Sequence, residues 1–563
     1  MIPDRVTGHG ILSCVSIACL GVLVLAIVWA SNRGLEITDE AYYLLSAMHP
    51  DAVTLYISGQ HWLSAPIWRI TGSLQTFRLV GALLLLLSGC ILGLGACHAL
   101  SAVGDAPQRR AKPGLVAAAG GIGALLYVAT IAPSPSYNLF AAAGGYSGAG
   151  IVLLAVGRSG RTALVGGLLA GAALAICFVA KPSAGITCSL VALLLGASLG
   201  RGGERWMLCL GLVVGALASI MALLALQPSE PPVLDSLGNG LALFKVVQTE
   251  TVFARLIRYS VTMADAIGAT LLAFWPALVL AISLRILPRL WLAGLMLAAL
   301  CVTVLVGDHH LGGMFAYKRQ MEAVYALIFI LLILGLPLGK AALSRLALFI
   351  GLLILPFAVA VGTGNALFTQ VIVSLAPWTV VAALSSYSTF ATNNLVLAIA
   401  RCGVAAIVML LVTAQILTSF TREPYHLAVP LVQQDNMTAI GTLGHVKVDA
   451  ATLLMLQDVA QTRQNCAISP GAIYLGLYNV PGLALLFDAV PPVSPWLNNR
   501  QQLDAITPFL PSNPAQQVVR ALTTEARDEP DLTDGHRYCG TVRIAFSGEI
   551  VEIWATHPVP RDG

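Results

Sequence analysis

The feature that most constrains this chain is a series of about thirteen apolar runs, each about 18 to 25 residues long and almost free of charge. Wound as a helix at about 1.5 Å per residue, such a run crosses a hydrocarbon core about 30 Å thick while satisfying its own backbone hydrogen bonds. The runs lie near 11–30, 79–101, 114–132, 138–157, 162–180, 184–200, 207–226, 267–284, 290–306, 321–338, 344–361, 371–389 and 400–418. The first follows Arg5, but it is longer than a signal-peptide core and no small-x-small site precedes Asn32-Arg33, so it reads as a retained span. The run at 371–389 is the weakest, diluted by Ser385, Ser386 and Ser388. Composition agrees: 57% of the 563 residues are hydrophobic and 10% charged, too little charge to cover a soluble protein of this size. The fold class expected is a mainly α membrane protein of about 13 transmembrane helices with a small α/β extracytoplasmic C-terminal domain. Residues 1–419 would form the polytopic part and 420–563 the soluble periplasmic part.

Alternate short loops are basic and almost free of acids. They carry Arg109, Arg110 and Lys112, then Arg158 and Arg161, Arg201 and Arg205, Arg285 and Arg289, and Lys340 and Arg345, with Arg5 and Arg401 in the same set. Basic loops stay in the cytoplasm, so the N-terminus is expected inside and, after an odd number of spans, the C-terminal domain outside. The cysteines point the same way. Nine of the eleven lie in apolar runs, while Cys466 and Cys539 stand alone in the tail, which suggests one disulfide in an oxidising compartment. The tail has helix-like stretches at 450–462 and 514–526. It ends in a strand pair, 541–546 and 550–555, joined by Ser547-Gly548-Glu549. The connection 227–266 is long and partly amphipathic, which suits the membrane surface.

Polar chemistry concentrates in the outward loops. The first, 31–78, contains Thr38-Asp39-Glu40-Ala41-Tyr42-Tyr43, in which Thr38 is a plausible N-cap and the two acids fall in the first turn of a short helix. Acids there complement the helix dipole, worth under about 1 kcal/mol; they are also candidates for catalysis. His61 and Trp62 suit either a sugar ring or an interfacial belt. The turn Pro133-Ser134-Pro135-Ser136-Tyr137-Asn138 is either a tight connection, with Ser136 capping the next helix, or part of a site. Candidate cations are Lys181, Arg255, Arg258, Lys318 and Arg319, each suited to snorkelling or to holding a phosphate. Asp308-His309-His310 lacks a third ligand at metal spacing, so His309 and His310 read as hydrogen-bonding groups or plain loop polarity. In the tail, Tyr474, Tyr478, Asn479 and Trp496 would face an acceptor or fill a core.

An acidic pair directly after the first of many spans, a long first outer loop and a C-terminal outer domain resemble the GT-C glycosyltransferase superfamily. That superfamily includes protein O-mannosyltransferases and lipid A aminoarabinose transferases. The resemblance covers the chain in layout and a few residues in motif. It implies an inverting transfer of sugar from a polyprenyl-phosphate lipid to an extracytoplasmic acceptor on a glycan, lipid or protein. By this resemblance Asp39 would be the general base. Glu40 would orient it or help bind an acceptor or a divalent cation. Lys181, Arg255, Arg258, Lys318, Arg319, His309 and His310 would serve the donor phosphate, and Tyr43, His61, Trp62, Tyr137 and Asn138 the acceptor or sugar. Relatives often carry an acid in the second outward loop; here Tyr137 and Asn138 stand in its place. The partners implied are the donor lipid, the acceptor and membrane lipids, with no nucleic acid. No cofactor is certain and a divalent cation stays open. Two other readings compete. A flippase or transporter would place ionisable groups in mid-membrane, where these spans have almost none. A non-catalytic assembly protein would not need Asp39 at all.

Overall fold

The computed structural model describes residues 7–103, 112–227, 233–247, 250–306, 317–335, 343–362, 364–386, 394–422, 424–510 and 516–557. The first helix, α1 (Thr7–Ala30), leads into two short helices, α2 (Asp39–Met48) and α3 (Gln60–Thr71). A run of bundle helices follows: α4 (Leu74–Val103), α5 (Pro113–Leu125), α6 (Tyr137–Ala155), α7 (Gly160–Ala180), α8 (Pro182–Leu199) and α9 (Glu204–Ala225). After α10 (Val233–Val247) come α11 (Val252–Ile286), α12 (Leu290–Val306), α13 (Tyr317–Gly335), α14 (Leu343–Ala360), the single turn α15 (Leu367–Gln370), α16 (Ala376–Ser386) and α17 (Leu395–Thr421). Each apolar run read from the sequence overlaps one of these helices over its described residues. Among the described residues nine are long and apolar enough to cross a membrane, and Pro113–Ala129, Leu290–Val306 and Met321–Gly335 are shorter apolar helices. The chain is a multi-pass membrane protein.

The weak twelfth run is a special case. Its helix, α16, has 11 residues, all buried, and at about 1.5 Å per residue it covers roughly half a hydrocarbon core. Ser385 and Ser386 donate to Ala382 O and Ala383 O of the same helix, so their hydroxyls need no water.

Close packing inside the bundle depends on small residues. Gly167 and Gly171 of α7 lie against Gly211 and Gly215 of α9, and a Cβ at any of the four would meet the facing backbone within 2.4 Å. Two small-xxx-small stripes thus let the two backbones touch, the usual device where lipid supplies no hydrophobic drive between helices. On the outside, Leu25, Leu194, Leu272 and Trp275 are more than half exposed, as lipid-facing side chains are. Arg401, grouped above with the loop cations, instead lies within α17 and is fully buried.

The C-terminal region combines a two-stranded ribbon with a four-stranded sheet. The ribbon pairs β1 (Asn436–Ile440) and β2 (Gly444–Val448) antiparallel. The sheet runs in the order β3 (Ile473–Leu477), β4 (Val518–Leu522), β6 (Ile550–Ala555), β5 (Arg537–Arg543), with only β3 and β4 parallel. The expected terminal hairpin is β5–β6, and its turn glycine, Gly548, has φ +72°. Helix α18 (Ala450–Asn465) lies where the first helical stretch was expected, while α19 (Leu483–Phe487) and α20 (Arg500–Ile506) are short additions. The helix expected over 514–526 is corrected: its described centre, Val518–Leu522, is the strand β4, paired with β3 in register Ile473↔Val518 to Leu477↔Leu522. Two β-branched residues and a ladder on each side outweigh local helix propensity. Cys466 and Cys539 are joined, tying α18 to β5.

The first loop is the hub between bundle and sheet. Gly34 N donates to Lys447 O at 2.8 Å, Lys447 N to Asn32 O at 2.8 Å, and Gly482 N to Ile37 O at 2.9 Å. Leu35, Ile37, Leu44 and Leu45 share a buried core with Val446, Val448, Leu483 and Phe487. The connection expected along the membrane surface contains α10, which packs on α20 and closely approaches Tyr56 of the first loop at Gly240. The first loop and the C-terminal region therefore lie at the same end of the bundle.

Candidate functional site

The site is built on the start of α2, where three carboxylates lie within five residues: Glu36 just before the helix, and Asp39 and Glu40 in its first turn. Glu36 acts as the cap that the sequence assigned to Thr38. Its Oε1 accepts the Thr38 N–H at 2.6 Å and its Oε2 the Glu40 N–H at 2.5 Å, while the Thr38 hydroxyl donates to Glu36 instead of accepting from the helix. Free N–H groups at a helix start attract an anion, and a buried glutamate supplies it. Burial lifts the Glu36 carboxyl above its ordinary range, while His426 and Thr38 draw it back.

Glu40, 0% exposed, is fully committed. Arg78 meets it through Nε at 2.7 Å and Nη2 at 2.5 Å, and Ser134 donates to the same Oε1 at 2.6 Å. The same guanidinium donates to Ser31 O, Arg33 O and Gly34 O, so it pins the start of the first loop to α4. Both of its oxygens are hydrogen-bonded inside the protein, so Glu40 serves as an anchor of this turn. It is a buried ion pair whose removal from one side only would be costly.

Asp39 differs from both. It is half-buried, and no cationic side chain forms an ion pair with it among the described residues. Its Oδ2 accepts from the Tyr425 hydroxyl. Burial raises its carboxyl above the ordinary aspartate range, opposed by the Tyr425 hydrogen bond and by His426. Around it stand Tyr42, Tyr43, Tyr127 and Tyr137, whose hydroxyls feel its charge. Tyr43 and Tyr137 meet edge to face at 5.9 Å. Burial keeps the Tyr43 hydroxyl neutral, far above its usual range.

The remaining residues connect through α6 and α7. Ser136 caps α6 by accepting from Leu139 N at 3.2 Å, as expected, which presents Tyr137 and Asn138 at the helix start. Gln60 Oε1 accepts the Tyr137 N–H at 2.9 Å and its side chain also meets Tyr42. Lys181, at the junction of α7 and α8, points its ammonium at Asn138 Oδ1 (3.3 Å), Ala360 O (3.3 Å) and Val359 O (3.4 Å). It is 8% exposed, and burial lowers its pKa to about 8. Only neutral oxygens solvate this cation among the described residues, so its charge is left uncompensated.

His61 and Trp62 pack with Tyr56 in a cluster of rings 4.6 to 5.6 Å apart. His61 is 3% exposed and burial lowers its pKa to about 4, so it is a neutral ring. The site is walled on the far side by Trp496, 6.0 Å from Tyr42 and anchored through Nε1 to Asn479 Oδ1 at 2.8 Å. Tyr474 and Tyr478 belong to the core, their hydroxyls turned to Val480 O and Glu529.

The structure thus gathers Asp39, Tyr43, Tyr137, Asn138 and Lys181. Arg255 and Arg258 are not among them; both pair with Glu250. Lys318 and Arg319 lie in the first turn of α13, and His309 and His310 lie outside the described residues. Glu36, Arg78, Tyr425 and His426 were not singled out in the sequence, and Ser134 only as part of the turn at 133–138. An aromatic pair directly after the last span was a visible signal, but nothing local brings position 425 to position 39. Among the described residues no group of three or more His, Cys, Asp or Glu is arranged to hold a metal.

Beside the acids lies a largely apolar pocket. It is lined by Ile27, Val128, Ile131, Phe420 and Leu427, with Glu36, Arg78 and Tyr425 among the polar groups.

No family model matches the chain and no curated protein does. Among solved structures it is similar to ArnT from Cupriavidus metallidurans bound to undecaprenyl phosphate, at 15% identity over 97% of this chain and 98% of that one, with a TM-score of 0.44. It is also similar to the Archaeoglobus fulgidus oligosaccharyltransferase in complex with Zn and sulfate, at 14% identity over 94% of this chain and 73% of that one, TM-score 0.45. A third similar structure is the archaeal oligosaccharyltransferase AglB from the same organism with an inhibitory peptide and a dolichol-phosphate: 12% identity, 90% and 69% coverage, TM-score 0.43.

Proposed function

We propose that the chain transfers a sugar from a polyprenyl-phosphate lipid to an acceptor hydroxyl at the outer face of a bacterial plasma membrane, with inversion at the anomeric carbon. Asp39 takes the proton of the acceptor hydroxyl, whose oxygen bonds to the anomeric carbon as the bond from that carbon to the phosphate oxygen breaks. The electron pair leaves with the polyprenyl phosphate. The leaving group is good, so a carboxylate suffices as base once it is within hydrogen-bond reach.

The observation that carries this reading is the contrast among the three carboxylates at the start of α2. Glu36 and Glu40 are spent on structure, while Asp39 stays reachable, unpaired with a cation and ringed by hydroxyls. Lys181, whose ammonium is otherwise solvated only by neutral oxygens, is assigned to the leaving phosphate, where a cation near 4 Å contributes up to about 4 kcal/mol at an effective dielectric of 20. The apolar pocket beside Tyr425 suits the first isoprene units. In this reading residues 1–419 form the catalytic membrane part with a cytoplasmic N-terminus, and 420–563 cover the site from the periplasm.

The test supplies full-length chain with a lipid extract containing polyprenyl-phosphate-linked sugars and measures free polyprenyl phosphate released, alongside envelope glycan profiles with and without the chain. Release by wild type and its loss in Asp39→Asn is the expected result. Undiminished release by Asp39→Asn removes the base role, and substrate flux without bond cleavage would make the chain a flippase.

A further inference from the structure

The segment after α17 reaches Asp39 and Thr38 at the start of α2 from 386 and 388 residues away. Tyr425 donates to Asp39 Oδ2, and His426 Nδ1 lies 2.7 Å from Thr38 Oγ1 and 3.7 Å from Glu36 Oε1. Because the Thr38 hydroxyl gives its proton to Glu36, the imidazole is the donor to Thr38. The two rings stack on each other, centroids 4.0 Å apart and planes 27° apart. The imidazole also stacks on Phe546, at 5.3 Å and 15°. Three near-parallel rings therefore run from the carboxylate to the turn between β5 and β6. The backbone of His426 sits at φ +46°, a region that side-chain-bearing residues seldom adopt. Such a conformation persists where surrounding contacts hold it, and here the contacts are these rings and bonds.

We propose that Tyr425 and His426 are positioning residues for Asp39, and that the C-terminal sheet holds them in place through Phe546. Tyr425 fixes Oδ2 and so directs Oδ1 to the acceptor proton. This role in catalysis rests on the reading of Asp39 as the base; the physical link between Phe546 and Asp39 does not. The C-terminal region thereby does more than cover the site. Its docking sets both the orientation of the base and how readily it ionises. The groups facing Asp39 are Glu36 from the preceding loop, Tyr42 and Tyr43 of α2, Tyr127 after α5, Tyr137 of α6, and Tyr425 and His426. Of these, the Tyr425 hydroxyl and the His426 ring pull the Asp39 carboxyl down against its burial. Loss of either moves its ionisation to higher pH.

The experiment reads Asp39 directly. Full-length protein labelled with 13C-aspartate is titrated by infrared difference spectroscopy, and the Asp39 carboxyl band is identified by its loss in Asp39→Asn. Tyr425→Phe, His426→Ala and Phe546→Ala are expected to shift that band's titration to higher pH, most for Tyr425→Phe. Phe546→Tyr, which keeps a ring in place, is expected to restore it. In the release assay the same variants lower kcat by about ten- to a hundredfold with KM little changed, the scale of a misplaced reacting group, and the acid limb of the rate moves with the band. A band that titrates as in wild type in both Tyr425→Phe and Phe546→Ala overturns the proposal, whatever the release assay gives. Should Phe546→Ala fold poorly, Tyr425→Phe and Phe546→Leu decide alone. A shifted band with undiminished transfer by Asp39→Asn leaves the ring link standing and overturns the positioning role in catalysis.

Discussion

The two sides of the first turn of α2 each carry a carboxylate, and the surroundings treat them in opposite ways. On the side facing α4 and the α5–α6 turn, Glu40 is sealed against Arg78 and Ser134, every oxygen is matched, and the guanidinium also ties down three carbonyls of the first loop. On the side facing the segment after α17, Asp39 has hydroxyls and an imidazole for company and stays partly open. Saturation of this kind makes a rigid anchor, because a buried charge loses heavily if its partner goes. Incomplete compensation makes a reactive group, because a carboxylate whose charge is poorly paid for holds a proton more tightly. The anchor and the reactive group are adjacent residues, so rigidity in one directly locates the other.

Changing each side in turn should break the comparison cleanly. Asp39→Asn is expected to cost the largest factor, about 10²- to 10⁴-fold in release of polyprenyl phosphate, with unchanged thermal stability of the purified protein. In wild type the rate should climb with pH, about tenfold per unit below the pKa of Asp39. Burial raises that pKa, so the climb should lie above the ordinary aspartate range; the Asp39→Asn variant should show no such limb. Arg78→Met should do the reverse of Asp39→Asn: it leaves Glu40 buried without a partner and costs about 3–5 kcal/mol of stability, seen as loss of folded protein in detergent melts. The double variant Glu40→Met/Arg78→Met should recover part of that loss, since no orphan charge is left.

Lys181→Met sharpens the other half of the site. With its ammonium solvated by neutral oxygens, the change should raise KM for the donor lipid about tenfold, roughly 1.4 kcal/mol, and leave the acid limb in place. His61→Phe should have the smallest effect, under about 1.5 kcal/mol in stability and no change in the pH profile. A ring that burial keeps neutral, with a pKa of about 4, has no charge to lose in that range.

Much of this was legible along the chain. The apolar runs, the polar first loop, the lone cysteine pair and the α2 acids all follow from composition and spacing, because lipid permits only internally bonded segments and hydropathy records that directly. Asp39, Tyr137, Asn138 and Lys181 were candidates on sequence grounds, and they lie together. Their relative standing was not legible. Asp39 and Glu40 look equivalent as letters, and β4 looked helical until its partner strand was known.

The sequence by itself determined that this chain is a multi-pass membrane protein, and that one loop and a C-terminal region carry its polar chemistry. Only the tertiary structure decided which acid is an anchor and which is available, that neutral oxygens solvate Lys181, and that residues 425, 426 and 546 reach position 39. The physical reason is range. Hydropathy and turn chemistry act over a few residues, whereas the energy of a buried charge depends on partners that the chain brings in from hundreds of residues away.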